Sequence, residues 1–257
     1  MTSLKNKVVF ITGASSGIGK SCAVKFAEAG ARLILSARRK ERIDSLVEDL
    51  KKKYKTESYG FKLDVQKQKD VQHAVESLPK KWQDIDILVN NAGLSRGLDK
   101  LHEGSIRDWE EMIDTNVKGL LYVTRAILPG MVSRNSGMVV NIGSIAGYQY
   151  YPKGNVYCAT KAAVDAVTNT LRMELVDTPI RVCTVDPGLV ETEFSEVRFR
   201  GDKERAKKTY LGFKPLSPDD VADAVLFCAT RPPHFQVAQM VVMPTNQAST
   251  TMVHRKE

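Results

Sequence analysis

Residues Lys7–Gly19 read KVVFITGASSGIG. The β-branched and aromatic run Lys7–Thr12 has no polar alternation, the mark of a strand buried on both faces. It meets three glycines, Gly13, Gly17 and Gly19, and an amphipathic stretch then runs through Ala29 to a terminal Gly30. Glycines let a backbone approach a pyrophosphate closely, and the N-terminus of the following helix offers unpaired N–H groups and a favourable dipole. Tight turns use the same residues. The strand–loop–helix context points to nucleotide binding, with Gly13, Ser15, Ser16, Gly17, Ile18 and Gly19 as the cradle.

Outward from this stretch the pattern repeats. Strands are expected at Arg32–Ala37, Tyr59–Val65, Asp86–Val89, Gly137–Gly143, Ile180–Val185 and Val237–Met243. Helices are expected from Lys40 to Lys53, up to Leu78 before Pro79, from Ser105 to Met131, through Tyr157 to Val176, and over Asp219–Thr230. Strands alternating with helices at this spacing imply βαβ units and a parallel sheet, and no second domain is evident in residues 1–257. Right-handed crossovers place the strand C-termini, and the loops after them, along one edge. From Glu193 to Pro215 the pattern loosens around a short charged helix at Lys203–Tyr210, as suits a mobile substrate lid at about 193–215. The tail Pro244–Glu257 has no periodicity and is expected to lie loose or to cross to a neighbouring subunit.

Composition narrows the class. With 257 residues and 42% hydrophobic content the chain can bury a sizeable core. No apolar run approaches the roughly 20 residues that span a bilayer, and the N-terminus has no signal-peptide pattern, so a cytoplasmic protein without membrane contact is expected. Cys22, Cys158, Cys183 and Cys228 are far apart, lack metal spacing and read as packing thiols; no metal is expected. The net charge of +8 permits nucleic-acid contact, but the basic clusters are not interleaved with aromatics, so no nucleic-acid partner is expected. A positive field also favours anionic cofactors and substrates.

Two local patterns carry chemistry. In dinucleotide folds an acid near the end of the second strand bonds the ribose 2′-hydroxyl of NAD. Here Arg38 and Arg39 follow Ala37 instead, and paired guanidinium groups suit a 2′-phosphate, which favours NADP(H). In GNVYCATK, Tyr157 and Lys161 are four residues apart, on one face of a helix. An ammonium beside a phenol favours the phenolate and readies a proton-transfer group. Asn116 falls mid-helix, where asparagine is a poor residue; it reads as an exposed position or as a kink with a bound water.

Taken together, Thr12-Gly13-x-x-x-Gly17-x-Gly19, Asn90-Asn91-Ala92-Gly93, Asn116, Ser144, Tyr157-x-x-x-Lys161 and Pro187-Gly188 resemble the short-chain dehydrogenase/reductase family over nearly the whole chain. The resemblance implies a single Rossmann-like, doubly wound α/β domain, a seven-stranded parallel sheet with helices on both faces. It implies that Tyr157 is the general acid/base, that Lys161 lowers its pKa and bonds the nicotinamide ribose, that Ser144 holds the substrate oxygen, and that Asn116 completes a water-mediated relay to Lys161. Asp64 and Val65 would flank the adenine and Asn91 the adenine ribose, Ala92 and Gly93 would also bind the cofactor, and Pro187, Gly188, Val190 and Thr192 would line the nicotinamide side. The stretches YPKGNVYCATK, PGLVETEFSEVRFRGD and MPTNQAS are similar to the NADP-dependent 3-hydroxy acid dehydrogenases, usually homotetramers that oxidise serine, allo-threonine and related acids. A carboxylate on the substrate needs a cationic or N–H partner, and Lys153, Arg198 and Arg200 are the candidates. The expected function is interconversion of secondary alcohols and ketones by hydride transfer. The alternatives are a broad NADPH-dependent carbonyl or diketone reductase and a non-catalytic NADP(H)-binding protein.

Overall fold

In a computed structural model that describes residues 2–256, the strands β1 (Val8–Thr12), β2 (Arg32–Ala37), β3 (Ser58–Lys62), β4 (Ile87–Asn90), β5 (Met138–Ile142), β6 (Arg181–Pro187) and β7 (Gln239–Val242) form one sheet. Their order is β3-β2-β1-β4-β5-β6-β7, and every pairing is parallel. Successive side chains of a strand point to opposite faces. Val9 and Ile11 therefore join one core with Phe26 of helix α1 (Gly17–Glu28) and Leu46 of α2 (Lys40–Tyr54), while Val8 and Phe10 join a second core. That second core receives Val71 of α3 (Gln68–Glu76), Ile127 of α5 (Leu120–Ser133) and Leu171 of α6 (Asn155–Glu174). The chain leaves β1 in one direction toward β2 and β3 and returns to the other side at β4, so a crevice opens at the carboxyl ends of β1 and β4.

The structure departs from the sequence reading in four places. β3 stops at Lys62, so Asp64 and Val65 lie in the loop beyond it, where no neighbouring strand holds them. The helix expected over Ser105–Met131 is split into α4 (Ile106–Ile113), a π-helical turn Asp114–Gly119, and α5. Asn116 sits in that turn and is buried, not exposed; a π-turn re-aims side chains that a continuous helix would stack. The segment after β6 holds two short helices, α7 (Phe194–Arg198) and α8 (Lys203–Lys208), before α9 (Pro218–Ala229). The tail is not loose. Lys256 N–H donates to Gly212 O at 2.7 Å, His254 N–H donates to Asn246 O, and the Arg255 guanidinium lies 4.9 Å from the Phe213 ring.

A buried polar ladder ties the middle of the sheet to its helices. Asn90 of β4 donates to Thr124 Oγ1 of α5 and to Asn141 Oδ1 of β5, each at 2.9 Å, and Asn141 donates to Thr168 Oγ1 of α6 at 2.8 Å. Buried amides are stabilising only while their partners are in place. Asn141→Leu strands an Asn90 N–H and a Thr168 acceptor, and is expected to lower stability by about 2–4 kcal/mol. Urea unfolding should show a lower midpoint with an unchanged m-value.

Candidate active site

A cavity of about 540 Å³ lies along the carboxyl edge of the sheet. Gly13, Ser15, Ser16, Gly17 and Ile18 form one wall, Asp64, Val65, Ala92 and Gly93 the next, and Pro187, Gly188, Val190 and Thr192 the far side. Gly13 has φ +66°, and a Cβ there would lie 2.9 Å from Ala92 Cα, so the loop closes only around glycine. Gly19 does not line the cavity; it leaves room for the Asn91 side chain. Asn91 in turn donates from Nδ2 to Thr12 O at 2.9 Å and to Gly13 O at 3.2 Å. The bracing of the glycine loop thus occupies the amide expected to face a ribose.

These residues fit a phosphorylated dinucleotide. Ser16, at the N-cap of α1, makes no side-chain cap, so the helix N-terminus stays open toward the cavity. The Ser36 hydroxyl, at the end of β2, is buried in the cavity wall without a hydrogen-bond partner. Arg38 and Arg39 both reach the cavity. Arg39 bonds Ser15 and Ser16, while half-exposed Arg38 lies 3.9 Å from Glu111.

Ser144, Tyr157 and Lys161 meet further along the same cavity. Ser144 follows β5 at the N-cap of a short turn, its Oγ accepts from Ala146 N–H at 3.1 Å, and its hydroxyl faces Tyr157. Tyr157 and Lys161 lie one turn apart on α6, as their spacing requires. Lys161 Nζ donates to Ile142 O at 2.8 Å. Asn116 does not line the cavity. Its Oδ1 accepts from Leu94 N–H at 2.8 Å and its Nδ2 donates to Leu94 O and Thr160 Oγ1, so the side chain is spent on holding a loop and α6.

The geometry agrees with relatives. The family profile described as short chain dehydrogenase matches residues 7–203. The chain belongs to the short-chain dehydrogenase family. It is 47% identical, over the full length of both chains, to the "NADP-dependent 3-hydroxy acid dehydrogenase" of Schizosaccharomyces pombe. Among solved structures it is similar to "The Closed form of serine dehydrogenase complexed with NADP+", with TM-score 0.92 and 45% identity covering 97% of this chain and all of that one. It is also similar to serine dehydrogenase from Escherichia coli, with TM-score 0.82 and 40% identity covering 94% of this chain and 99% of that one.

In this short-chain dehydrogenase the expected carboxylate partners separate. Arg198 lines the cavity, donates to the Tyr151 hydroxyl at 2.6 Å and Ser95 Oγ at 2.9 Å, and lies 5.1 Å from the centre of the Tyr157 ring. Lys153 also lines it. Arg200 does not; it turns to the buried Asp108 in an ion pair. A two-residue step along the chain, with Arg200 left-handed at φ +53°, sends the two side chains to different places. Sequence reasoning missed Tyr151, Phe194 and Gln247, all of which line the cavity. Phe194 packs edge-on against Tyr157 with centroids 5.6 Å apart, and Gln247 Oε1 accepts from Leu189 N–H at 2.8 Å. The unusual Met243-Pro244-Thr245-Asn246-Gln247 ending was the available signal for Gln247.

The electrostatics correct one expectation. The Tyr157 phenol is held above its ordinary pKa because burial penalises the phenolate; Arg198 and the Ser144 hydroxyl pull the other way without offsetting it. Lys161 is itself lowered to about 8 by burial, against the charge of Asp186, and its ammonium faces Ile142 O. Asp186, buried on β6, is raised to about 6, chiefly by burial; the hydrogen bond from Gln239 and the Lys161 charge oppose the shift. Because this folded carboxyl binds its proton more tightly than the unfolded one, its contribution to stability is present below pH 4 and is lost as pH rises through about 6. Asp186→Asn should remove that fall of about 3 kcal/mol between pH 4 and 6, as read by urea unfolding across that range.

Proposed function

We propose that this enzyme oxidises small 3-hydroxy acids, such as L-serine or L-allo-threonine, with NADP+ as the oxidant. The observation that carries the substrate class is Arg198: a guanidinium fixed by Tyr151 and Ser95 beside Tyr157, on the wall of the cavity. A charge-assisted, forked donor at that position suits a carboxylate one or two bonds from the reacting carbon. The glycine loop, Arg38, Arg39 and Thr192 would hold NADP+, which would supply the hydride acceptor.

The chain's own residues then have distinct tasks. The Ser144 hydroxyl donates a hydrogen bond to the substrate oxygen and places it, keeping its own proton. Tyr157 takes the hydroxyl proton in oxidation and returns it in reduction. Burial raises its pKa and makes it a ready acid in reduction, while the Arg198 charge and the Ser144 hydroxyl favour the phenolate in the other direction. Asn116 holds Leu94 and, through Thr160, the turn of α6 between Tyr157 and Lys161. Residues 193–215 would form the lid that excludes water. A broad carbonyl reductase is the second reading, favoured by the apolar Leu98, Phe194 and Val197 in the cavity wall.

The deciding assay compares kcat/KM for NADP+ reduction with L-serine, L-allo-threonine and 3-hydroxypropionate against NADPH oxidation with uncharged ketones and diketones. Preference for the hydroxy acids is expected; activity confined to uncharged carbonyls would support the second reading. Arg198→Gln should raise KM for the hydroxy acids by about 10–100-fold while changing KM for uncharged ketones far less. Tyr157→Phe should lower turnover by about 10²–10⁴-fold and leave NADPH binding nearly intact.

We further propose that the 257-residue chain folds as one domain and that four copies assemble as a cytoplasmic homotetramer. Support comes from exposed apolar side chains on the long helices and the edge strand, Leu121, Val132, Met173 and Val241, and from four free, buried thiols, which suit a reducing compartment. No helix among the described residues is long and apolar enough to cross a membrane. Light scattering on a size-exclusion column should return four times the 28.5 kDa chain mass.

A further inference from the structure

We propose that the Glu193 carboxylate competes with the cofactor's 2′-phosphate for Arg39, so that phosphate binding releases the start of the segment that covers Tyr157. The proposal rests on the reading of the cavity as an NADP(H) site.

Arg39 spends its guanidinium on three partners. Nε and Nη2 donate to Ser15 Oγ at 3.2 and 3.1 Å, Nη2 donates to Ser16 Oγ at 2.7 Å, and Nη1 donates to Glu193 Oε2 at 2.8 Å. Arg42 Nη1 takes the other carboxylate oxygen at 2.6 Å. A carboxylate thus occupies a nest of two guanidinium groups at the mouth of the glycine loop, the donor set that would receive a 2′-phosphate. Glu193 pairs across 154 residues with Arg39, so this is a tertiary contact and not a local helix pair. The two arginines hold the Glu193 carboxyl down to about 2, so it remains an anion at any working pH. A dianionic phosphate and this carboxylate cannot share Arg39 without strong like-charge repulsion.

The consequence runs along the chain. Glu193 is followed directly by Phe194, whose ring packs on Tyr157, and by α7, which ends at Arg198. Just before it, Thr192 lies against the loop: a Cβ on Gly17 would be 3.3 Å from its Cγ2. One ion pair at the adenine end of the cavity therefore fixes the first residue of the segment that carries two groups around the reacting end. Moving Glu193 off Arg39 frees that residue to follow the cofactor, and only a cofactor that carries the extra phosphate drives the exchange.

The test uses fragments that carry the phosphate difference and no nicotinamide. Calorimetric titration of the full-length protein with 2′,5′-ADP and with 5′-AMP is compared between wild type, Glu193→Gln and Glu193→Asp, with melting temperatures confirming that each variant folds. Glu193→Gln should bind 2′,5′-ADP about fivefold tighter or more, a typical coupling between competing groups, with 5′-AMP unchanged. Glu193→Asp, with the charge withdrawn by one methylene, should fall between. In wild type, 2′,5′-ADP but not 5′-AMP should speed amide exchange over residues 194–198. If Glu193→Gln binds 2′,5′-ADP equally or more weakly, Glu193 serves to orient Arg39 and the proposal is wrong. It is equally wrong if 5′-AMP tightens in parallel. If wild type shows no preference for 2′,5′-ADP over 5′-AMP, the NADP(H) reading itself fails.

Discussion

Much of the site depends on where one buried ammonium is tied down. Lys161 is nearly sealed from solvent and donates to Ile142 O, the last carbonyl of β5. That bond fixes the rotation of α6 over the sheet edge and so sets where Tyr157, one turn earlier, can point. A buried ammonium is costly, and the fold meets the cost with Asp186 on the neighbouring strand β6, whose carboxylate sits where any side chain on Gly143 would intrude. The two groups shift in opposite senses for one reason: burial penalises each charge, and each partly relieves the other.

The same economy of charge extends along the cavity. Arg38 and Arg39 line the cavity beside the glycine loop, with Arg42 paired to Glu193 at its rim, and Arg198 stands beside Tyr157. Between them the walls are mostly neutral, built from the glycine loop and from Ala92, Gly93, Ile142 and Gly188. Positive charge thereby stands at both ends of the cavity, while burial between them keeps the Tyr157 phenol protonated.

Irregular backbone serves this geometry. The π-turn Asp114–Gly119 buries Asn116 against Leu94 and Thr160, linking the loop after β4 to α6. Gly119 has no side chain because a Cβ would lie 2.7 Å from Val65 Cγ2, in the loop beside the cavity. The Asn90–Asn141–Thr168 ladder makes the matching connection inside the sheet. The loop after β4, strand β5 and α6 are therefore linked by buried amide donors to buried acceptors.

The fold and most of the cavity wall were legible in the chain because their signals are local. The apolar strand runs, the glycine spacing of Gly13, Gly17 and Gly19, the Arg38-Arg39 pair after β2 and the four-residue step from Tyr157 to Lys161 each fit within one element and its cap. Interactions between distant elements were not legible. Arg198 and Arg200 look alike in sequence, yet one meets Tyr151 and Ser95 and the other Asp108. Glu193 reads as an ordinary surface acid until the fold sets it on Arg39 and Arg42. Tyr157 and Lys161 share a helix face by spacing alone, but the sign of the phenol's pKa shift is set by enclosure, which no local pattern encodes. Sequence settles periodicity and backbone freedom, which belong to neighbouring residues; burial and ion pairing arise only when elements far apart in the chain exclude water from between them.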